Sequence, residues 1–313
     1  MQINIQKISH SIIEQSGVEL YIARVDKVHP LASGNKYYKL KPNLEYAKKH
    51  GFKRLLSFGG AYSNYIHAFA LYAAEKGFKT VGVIRGEPEY ATNPTLQDVQ
   101  EAGMELKFVN REEYRLRNDD AYLSQLQQEF PDTLIIPEGG SSQIAVASCK
   151  SLMCDINKIQ KCDIIAAASG TGATFAGLVC GLGGNQTAIS YAALKDETLL
   201  DRIKVFISDE GLSNYKYRIE SASFGGFAKL DKSVLDFILD WLDQTGILLD
   251  PIYTGKMGFR LIQQIKSGEF SKGTSICMVH SGGLQGWRGM KGRVIKISSV
   301  KSWAIINEKL KSL

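Results

Sequence analysis

Short apolar runs alternate with stretches of helical spacing from about Leu40 to Val279, and this alternation restricts the fold more than any other feature. Arg54-Leu55-Leu56-Ser57-Phe58, Thr80-Val81-Gly82-Val83-Ile84, Leu106-Lys107-Phe108-Val109 and Thr133-Leu134-Ile135-Ile136 read as buried strands. Residues 37–50, 65–76 and a stretch near 96–102 have helical spacing, and a further helix is expected between 109 and 133. Apolar runs of this length suit strands covered on both faces, and strand–helix–strand order implies right-handed crossovers and a parallel sheet. The pattern then restarts. Residues 144–159, 173–182 and 256–266 read as helices, and 163–168, 188–192 and 275–279 as strands. The expected fold class is α/β, with two open twisted parallel-sheet domains and a cleft between them. Residues 40–147 would form the smaller domain, and 1–39 with 148–313 the larger. The stretch 210–230 is poor in pattern and is expected to be a loop over the cleft.

Composition removes several classes of function. Of the 313 residues, 44% are apolar and 22% charged, which suits a globular protein. The net charge of +6 gathers near the end of the chain, around Lys291, Arg293, Lys296, Lys301, Lys309 and Lys311. A nucleic-acid role would need a dense basic stripe with interleaved aromatic residues, and a solvated basic surface with no nucleic-acid partner is expected instead. No apolar run approaches the roughly 20 residues of a membrane helix, and the N-terminus has no signal-peptide pattern. Cys149, Cys154, Cys162, Cys180 and Cys277 contain no CxxC pair, which suits free thiols and a cytoplasmic location. His10, His29, His50 and His67 form no metal or triad spacing, and no metal is expected.

Three segments carry chemistry. In Ser33-Gly34-Asn35-Lys36-Tyr37-Tyr38-Lys39, a turn places Lys36 at the foot of a helix, where the two tyrosines can desolvate its amine. Desolvation lowers a lysine pKa, and a neutral amine is what attacks an aldehyde. Lys39, one turn on, adds a cation suited to a phosphate. Ser57-Phe58-Gly59-Gly60-Ala61-Tyr62-Ser63-Asn64 is a strand-to-helix turn able to hold a carboxylate, with Ser63 also readable as a plain N-cap. Ser169-Gly170-Thr171-Gly172-Ala173-Thr174 has the same context, and its glycines and hydroxyls can nest a phosphate. Phe175 replaces the last glycine of a dinucleotide fingerprint, and the Gly-Lys-Ser/Thr ending of a nucleotide loop is missing. A lysine, a carboxylate turn and a phosphate turn are the parts of a pyridoxal-phosphate enzyme.

Five pieces in order resemble the fold-type II (tryptophan synthase β-like) pyridoxal-phosphate enzymes. Within these, the chain is similar to the family of 1-aminocyclopropane-1-carboxylate deaminase and D-cysteine desulfhydrase. The pieces are Gly34-Asn35-Lys36-x-x-Lys39-Leu40, Gly59-Gly60-x-x-Ser63-Asn64, Thr171-Gly172-x-Thr174-x-Ala176-Gly177, Asp250-Pro251-x-Tyr253-x-Gly255-Lys256 and His280-x-Gly282-Gly283. The resemblance implies pyridoxal 5'-phosphate in the larger domain, a small amino-acid substrate and a homodimer. It implies that Lys36 carries the cofactor and moves the α-carbon proton. Ser63 would contact the substrate carboxylate, and Asn64 the cofactor's phenolic oxygen. Gly170, Thr171, Gly172, Ala173 and Thr174 would hold the phosphate, with Lys39 nearby. Tyr253 would stack on the ring or act at the substrate, and Thr254 would face the ring nitrogen.

The chain departs from the family pattern in places that bear on substrate. Thr254 stands where the deaminases carry a glutamate. A carboxylate there keeps the pyridine nitrogen protonated and deepens the electron sink, whereas a hydroxyl does not. Elimination of a good leaving group needs less of a sink than opening a cyclopropane ring. Ser223-Phe224-Gly225-Gly226-Phe227 lacks the second active-site tyrosine, with Phe224 the candidate in its place. Tyr62 and Tyr65 replace smaller or amide-bearing residues, and Tyr62 joins Ser63, Asn64 and Phe224 as a candidate substrate contact. The expected activity is that of a lyase or deaminase most like D-cysteine desulfhydrase. Aminocyclopropane-carboxylate deamination, or a cofactor-binding protein with a decayed site, are the alternatives.

Overall fold

The computed structural model describes residues 3–208, 215–226 and 229–312. The strands among them are β1 (Ile5–Lys7), β2 (Glu19–Ala23), β3 (Arg54–Gly60), β4 (Lys79–Arg85), β5 (Met104–Val109), β6 (Thr133–Ile135), β7 (Ile164–Ser169), β8 (Thr187–Ala192), β9 (Lys216–Ser221) and β10 (Ser275–Val279). They form two sheets, in the orders β1-β2-β10-β7-β8-β9 and β5-β4-β3-β6. Every pairing is parallel except β1 on β2 at an edge. Leu55, Leu56, Phe58, Val81, Val83 and Ile84 are each at most 1% exposed. Strands covered on both faces read as continuous apolar runs, which is why β3 and β4 are legible in the sequence.

The topology decides where a ligand can sit. In the smaller sheet the chain steps from β3 to β4 to β5, then returns as β6 on the other side of β3. In the larger sheet it steps from β7 to β8 to β9, and β10 returns on the other side of β7. Each reversal is a switch point, and open α/β sheets form their crevice beyond the carboxyl end of the strand at that point. The turns after β3 and after β7 are the two glycine-rich turns of the sequence.

Gly34 precedes helix Asn35–Lys49 with φ +72°, and a Cβ built there would lie 1.9 Å from the Ser281 carbonyl oxygen. Only glycine fits where this helix start meets the loop after β10.

The expected strands and helices appear within a few residues of their predicted bounds. The stretch 210–230 is corrected: β9 runs through it, parallel to β8. Its residues Lys-Tyr-Arg-Ile-Glu-Ser alternate along a half-exposed edge, so no apolar run marks them. The parts of that stretch at 209–214 and 227–228 lie outside the described residues. Strands β1 and β2 and helices Leu199–Ser208 and Lys232–Thr245 were not anticipated.

Candidate active site

Lys36 sits on the first turn of helix Asn35–Lys49. Its Nζ donates to Asn35 Oδ1 at 2.6 Å and stands 5.9 Å from the centre of the Tyr253 ring. Asn35 Nδ2 in turn donates to Thr174 Oγ1 at 2.8 Å. One amide thus ties the lysine's helix to the start of helix Ala173–Cys180. Burial, then the like charge of Lys39, brings the Lys36 amine down from 10.5 to about 8, against the opposing pull of Asp250. An amine with that pKa has roughly a fifth of its population neutral near pH 7.4, far more than an ordinary lysine.

Lys39 lies one turn further along. Its Nζ donates to Gly139 O at 2.9 Å, Thr171 Oγ1 at 3.3 Å and Ser141 Oγ at 3.4 Å. Ser141 Oγ donates to Thr171 Oγ1 at 2.6 Å, closing the cluster. Burial holds Lys39 at about 8 as well. The first N–H groups of helix Ala173–Cys180 have no acceptor inside the helix and carry its positive end. A cation, two hydroxyls and these amides converge on a space suited to a phosphate.

The turn after β3 supplies the other wall. Ser63 is the N-cap of helix Asn64–Glu75, its Oγ accepting from Ile66 N at 3.3 Å. A hydroxyl that accepts there still has a proton to donate. Tyr65 is buried, within 3.2 Å of Ser57 Oγ, and burial raises its phenol. Tyr62 is 46% exposed at the rim.

These groups line one cavity of about 400 Å³ between the carboxyl ends of the two sheets, within the usual range for small-molecule sites. Lys36, Lys39, Tyr62, Ser63, Asn64, Gly170, Thr171, Gly172, Thr174 and Tyr253 all line it. Three sequence candidates do not. Ala173 is 0% exposed, at the first position of helix Ala173–Cys180. Thr254 is 0% exposed; its Oγ1 donates to Asp250 Oδ2 at 2.5 Å and accepts from Asp250 N at 2.9 Å. Phe224 packs its ring on Phe259, centroids 5.0 Å apart, with its backbone at φ +35°. His280 is wholly buried and holds Leu248 O at 2.9 Å.

The structure adds residues that the sequence reading missed. Arg85 and Glu138 line the cavity at the ends of β4 and β6. Glu138 accepts from Tyr114 Oη and Arg117 Nε, both at 2.6 Å, and the Arg85 guanidinium lies over the Tyr114 ring at 5.4 Å. Gly139 and Ser281 complete the wall, and Ser141 stands behind it on Lys39 and Thr171. All follow carboxyl ends of strands, and applying that rule to every strand would have found them.

Pyridoxal phosphate fits this donor set. A Cβ at Gly170 would meet Tyr253 Cε1 at 3.2 Å, so the phosphate turn and the aromatic ring already close on each other around the cavity. Fold and site define a two-sheet α/β protein whose switch-point cavity pairs a buried lysine of lowered pKa with a phosphate-sized nest. The chain belongs to the family described as pyridoxal-phosphate dependent enzyme, whose pattern matches residues 8–282, and pyridoxal phosphate is that family's cofactor. It is similar to a Pyrococcus furiosus protein carrying the provisional name 1-aminocyclopropane-1-carboxylate deaminase, 29% identical over 287 residues, 86% of each chain. It is 26% identical over 301 residues to the Arabidopsis thaliana protein named bifunctional D-cysteine desulfhydrase/1-aminocyclopropane-1-carboxylate deaminase, covering 87% of this chain and 74% of that one. A crystal structure described as an ACC deaminase homologue superposes with a TM-score of 0.86 at 25% identity, over 95% of this chain and 94% of that one.

The buried lysines set a pH dependence for the cofactor-free protein. Their folded pKa of about 8 lies below the unfolded value of 10.5, so between these values the unfolded chain binds more protons. Stability therefore rises with pH there. Above about 9 the buried thiols of Cys149 and Cys277, raised by burial and, at Cys277, first by the Cys162 thiol, oppose the rise. Denaturant unfolding should give a gain of about 1–2 kcal/mol from pH 8 to 9, and Lys36→Met should flatten it. A loss of stability across that unit would contradict the assigned burial of the two amines.

Proposed function

We propose that this protein is a pyridoxal-phosphate-dependent lyase that eliminates a β leaving group from a small amino acid. The reaction most like it is that of D-cysteine desulfhydrase, in which D-cysteine and water give hydrogen sulfide, ammonia and pyruvate. The observation that carries the choice is Thr254. A threonine bonded to Asp250 stands where the resemblance places the deaminases' glutamate, so position 254 offers no carboxylate to hold a proton on a pyridine nitrogen. Expulsion of thiolate tolerates that shallower sink better than ring opening does.

When bound, pyridoxal phosphate supplies the electron sink for bond breaking at the substrate α-carbon. The chain's own groups do the rest. Lys36 presents a partly neutral amine that would hold the cofactor and would take up the proton from the substrate α-carbon. Lys39, Thr171, Thr174 and the backbone from Gly170 through Ala173 hold the phosphate. Ser63 donates to the substrate carboxylate, and the turn beside it orients that group. Asn64 donates to the phenolic oxygen. Tyr253, its phenol raised by burial, stays neutral beside Lys36 and covers the ring. Tyr62 screens the mouth.

The pairing of 40–147 against the rest as two domains, a homodimer and a cytoplasmic setting belong to the same proposal. The five free cysteines support a reducing compartment. Among the described residues no helix is long and apolar enough to cross a membrane.

The deciding assay follows product from D-cysteine, L-cysteine and 1-aminocyclopropane-1-carboxylate with cofactor-loaded protein. Sulfide and pyruvate from D-cysteine are expected, at least tenfold faster than from L-cysteine. Turnover of 1-aminocyclopropane-1-carboxylate to 2-oxobutyrate, without sulfide from either cysteine, would overturn the elimination reading. It would favour the deaminase named among the relatives.

A further inference from the structure

We infer that Gln285 is a positioning residue that fixes the Asn64 side-chain amide with its NH2 group presented to the cofactor. The inference rests on the proposed contact between Asn64 and the phenolic oxygen. Gln285 Nε2 donates to Asn64 Oδ1, and Thr95 Oγ1 donates to Gln285 Oε1 at 3.0 Å. Asn64 lines the cavity, whereas Gln285 and Thr95 stand behind it and do not. The loop carrying Gln285 holds the amide from both sides. A Cβ at Gly283 would lie 2.9 Å from Asn64 Nδ2, and one at Gly286 would lie 3.5 Å from Asn64 Oδ1.

An asparagine amide can turn over at little cost in shape while exchanging a donor for an acceptor. A phenolate oxygen needs a donor, and the wrong face would set two acceptors against each other. With Oδ1 bound to Gln285, Nδ2 is the atom left for the cavity, and it makes no hydrogen bond among the described residues. Thr95 completes the chain by donating its hydroxyl proton to Gln285 Oε1. Thr95 is 2% exposed at the start of helix Pro94–Glu101, so it is well fixed. The relay also joins Asn64 and Thr95, which flank the smaller sheet, to the loop after β10.

Gln285→Glu tests the inference because glutamate keeps the size and can accept from Thr95, yet it cannot donate to Asn64. It should draw the Asn64 NH2 group toward itself and turn Oδ1 to the cavity. The readouts are the pH midpoint of the bound cofactor's visible absorption and the cofactor dissociation constant, in the holoenzyme. A donor on the phenolic oxygen competes for the electron pair that otherwise holds the neighbouring proton, so losing it raises the midpoint. An upward shift of about half a unit or more and cofactor binding weaker by about 5–10-fold are expected for Gln285→Glu and for Asn64→Ala. Gln285→Met should add nothing further in an Asn64→Ala background. The thermal midpoint of the cofactor-free protein monitors folding and should stay near that of the wild type. A Gln285→Glu enzyme with wild-type midpoint and affinity, beside a shifted Asn64→Ala, overturns this inference alone. An unshifted Asn64→Ala overturns the Asn64 contact and the inference together.

Discussion

Lys36→Ala is expected to lose activity by at least about 1,000-fold, equivalent to roughly 4 kcal/mol of transition-state stabilisation. It should also lose the covalent attachment of the cofactor. Borohydride reduction of wild-type holoenzyme, followed by peptide mass mapping, should place pyridoxyl phosphate on Lys36. The alanine variant should carry none, while still binding the cofactor reversibly through Lys39 and the turn at 170–174. The substitution has a second signature. Lys36 is held at about 8 by burial and by Lys39, so its charge is an unfavourable presence in the cofactor-free fold. Removing it should leave the apo protein at least as stable as the wild type near pH 7.5. A variant that is inactive because it is unfolded would show the opposite. Label found on Lys39 or Lys256 would refute the assignment of Lys36 directly.

Asp250→Ala is expected to cause the largest loss of stability of any substitution near the site. The carboxylate is 0% exposed and accepts from Ile252 N at 2.9 Å, Tyr253 N at 2.8 Å, Thr254 N at 2.7 Å and Thr254 Oγ1 at 2.5 Å. It caps the start of helix Thr254–Lys266 and fixes the backbone from which the Tyr253 ring projects. Alanine strands three N–H groups and a hydroxyl in a dry interior. Each unmet donor costs about 1–3 kcal/mol before relaxation, and a total of about 3–5 kcal/mol is expected. In a chain of this size that lowers the thermal midpoint by about 5–8 °C. Asp250→Asn keeps one acceptor oxygen and should lose about half as much. Cofactor affinity should fall in both, because Tyr253 loses its anchor. A thermal midpoint within about 2 °C of wild type for Asp250→Ala would show that the helix start is held by something else.

The legible parts of this protein are those governed by near neighbours in the chain. The strands at 54–60 and 79–85 announce themselves as apolar runs because both their faces are covered. The turns after the strands at 54–60 and 164–169 announce themselves through glycine and hydroxyl residues at helix starts. Helix Lys232–Thr245 carries the same kind of local signal, Val234, Leu235, Ile238, Trp241 and Leu242 recurring at helical spacing, although it was not among the expected elements. Strand β9 was not legible, because an edge strand half in water carries only a weak alternation. Lys36, Lys39, Ser63, Asn64 and the turn at 170–174 stood out as candidates for the same local reason, and they share one cavity.

What each side chain touches follows a different logic. Thr254 follows Tyr253 in a motif that suggests a group facing the cofactor ring. Asp250, four residues earlier, instead captures the hydroxyl once the segment turns into a helix. Phe224 occupies the stretch where a second tyrosine was sought, yet its ring joins Phe259. Gln285 carried no signal at all, and its hydrogen bond to Asn64 spans 221 residues of sequence.

The sequence by itself determined the strand–helix alternation, the two glycine turns and the lysine at a helix start. Periodicity and turn chemistry are properties of residues a few positions apart. Only the tertiary structure decided that β6 and β10 return beside β3 and β7. That crossing sets both turns at switch points facing one cavity, lowers two lysines by burying them together, and selects the partner of each amide and hydroxyl. Those outcomes depend on distances between elements far apart in the chain, which no local pattern contains.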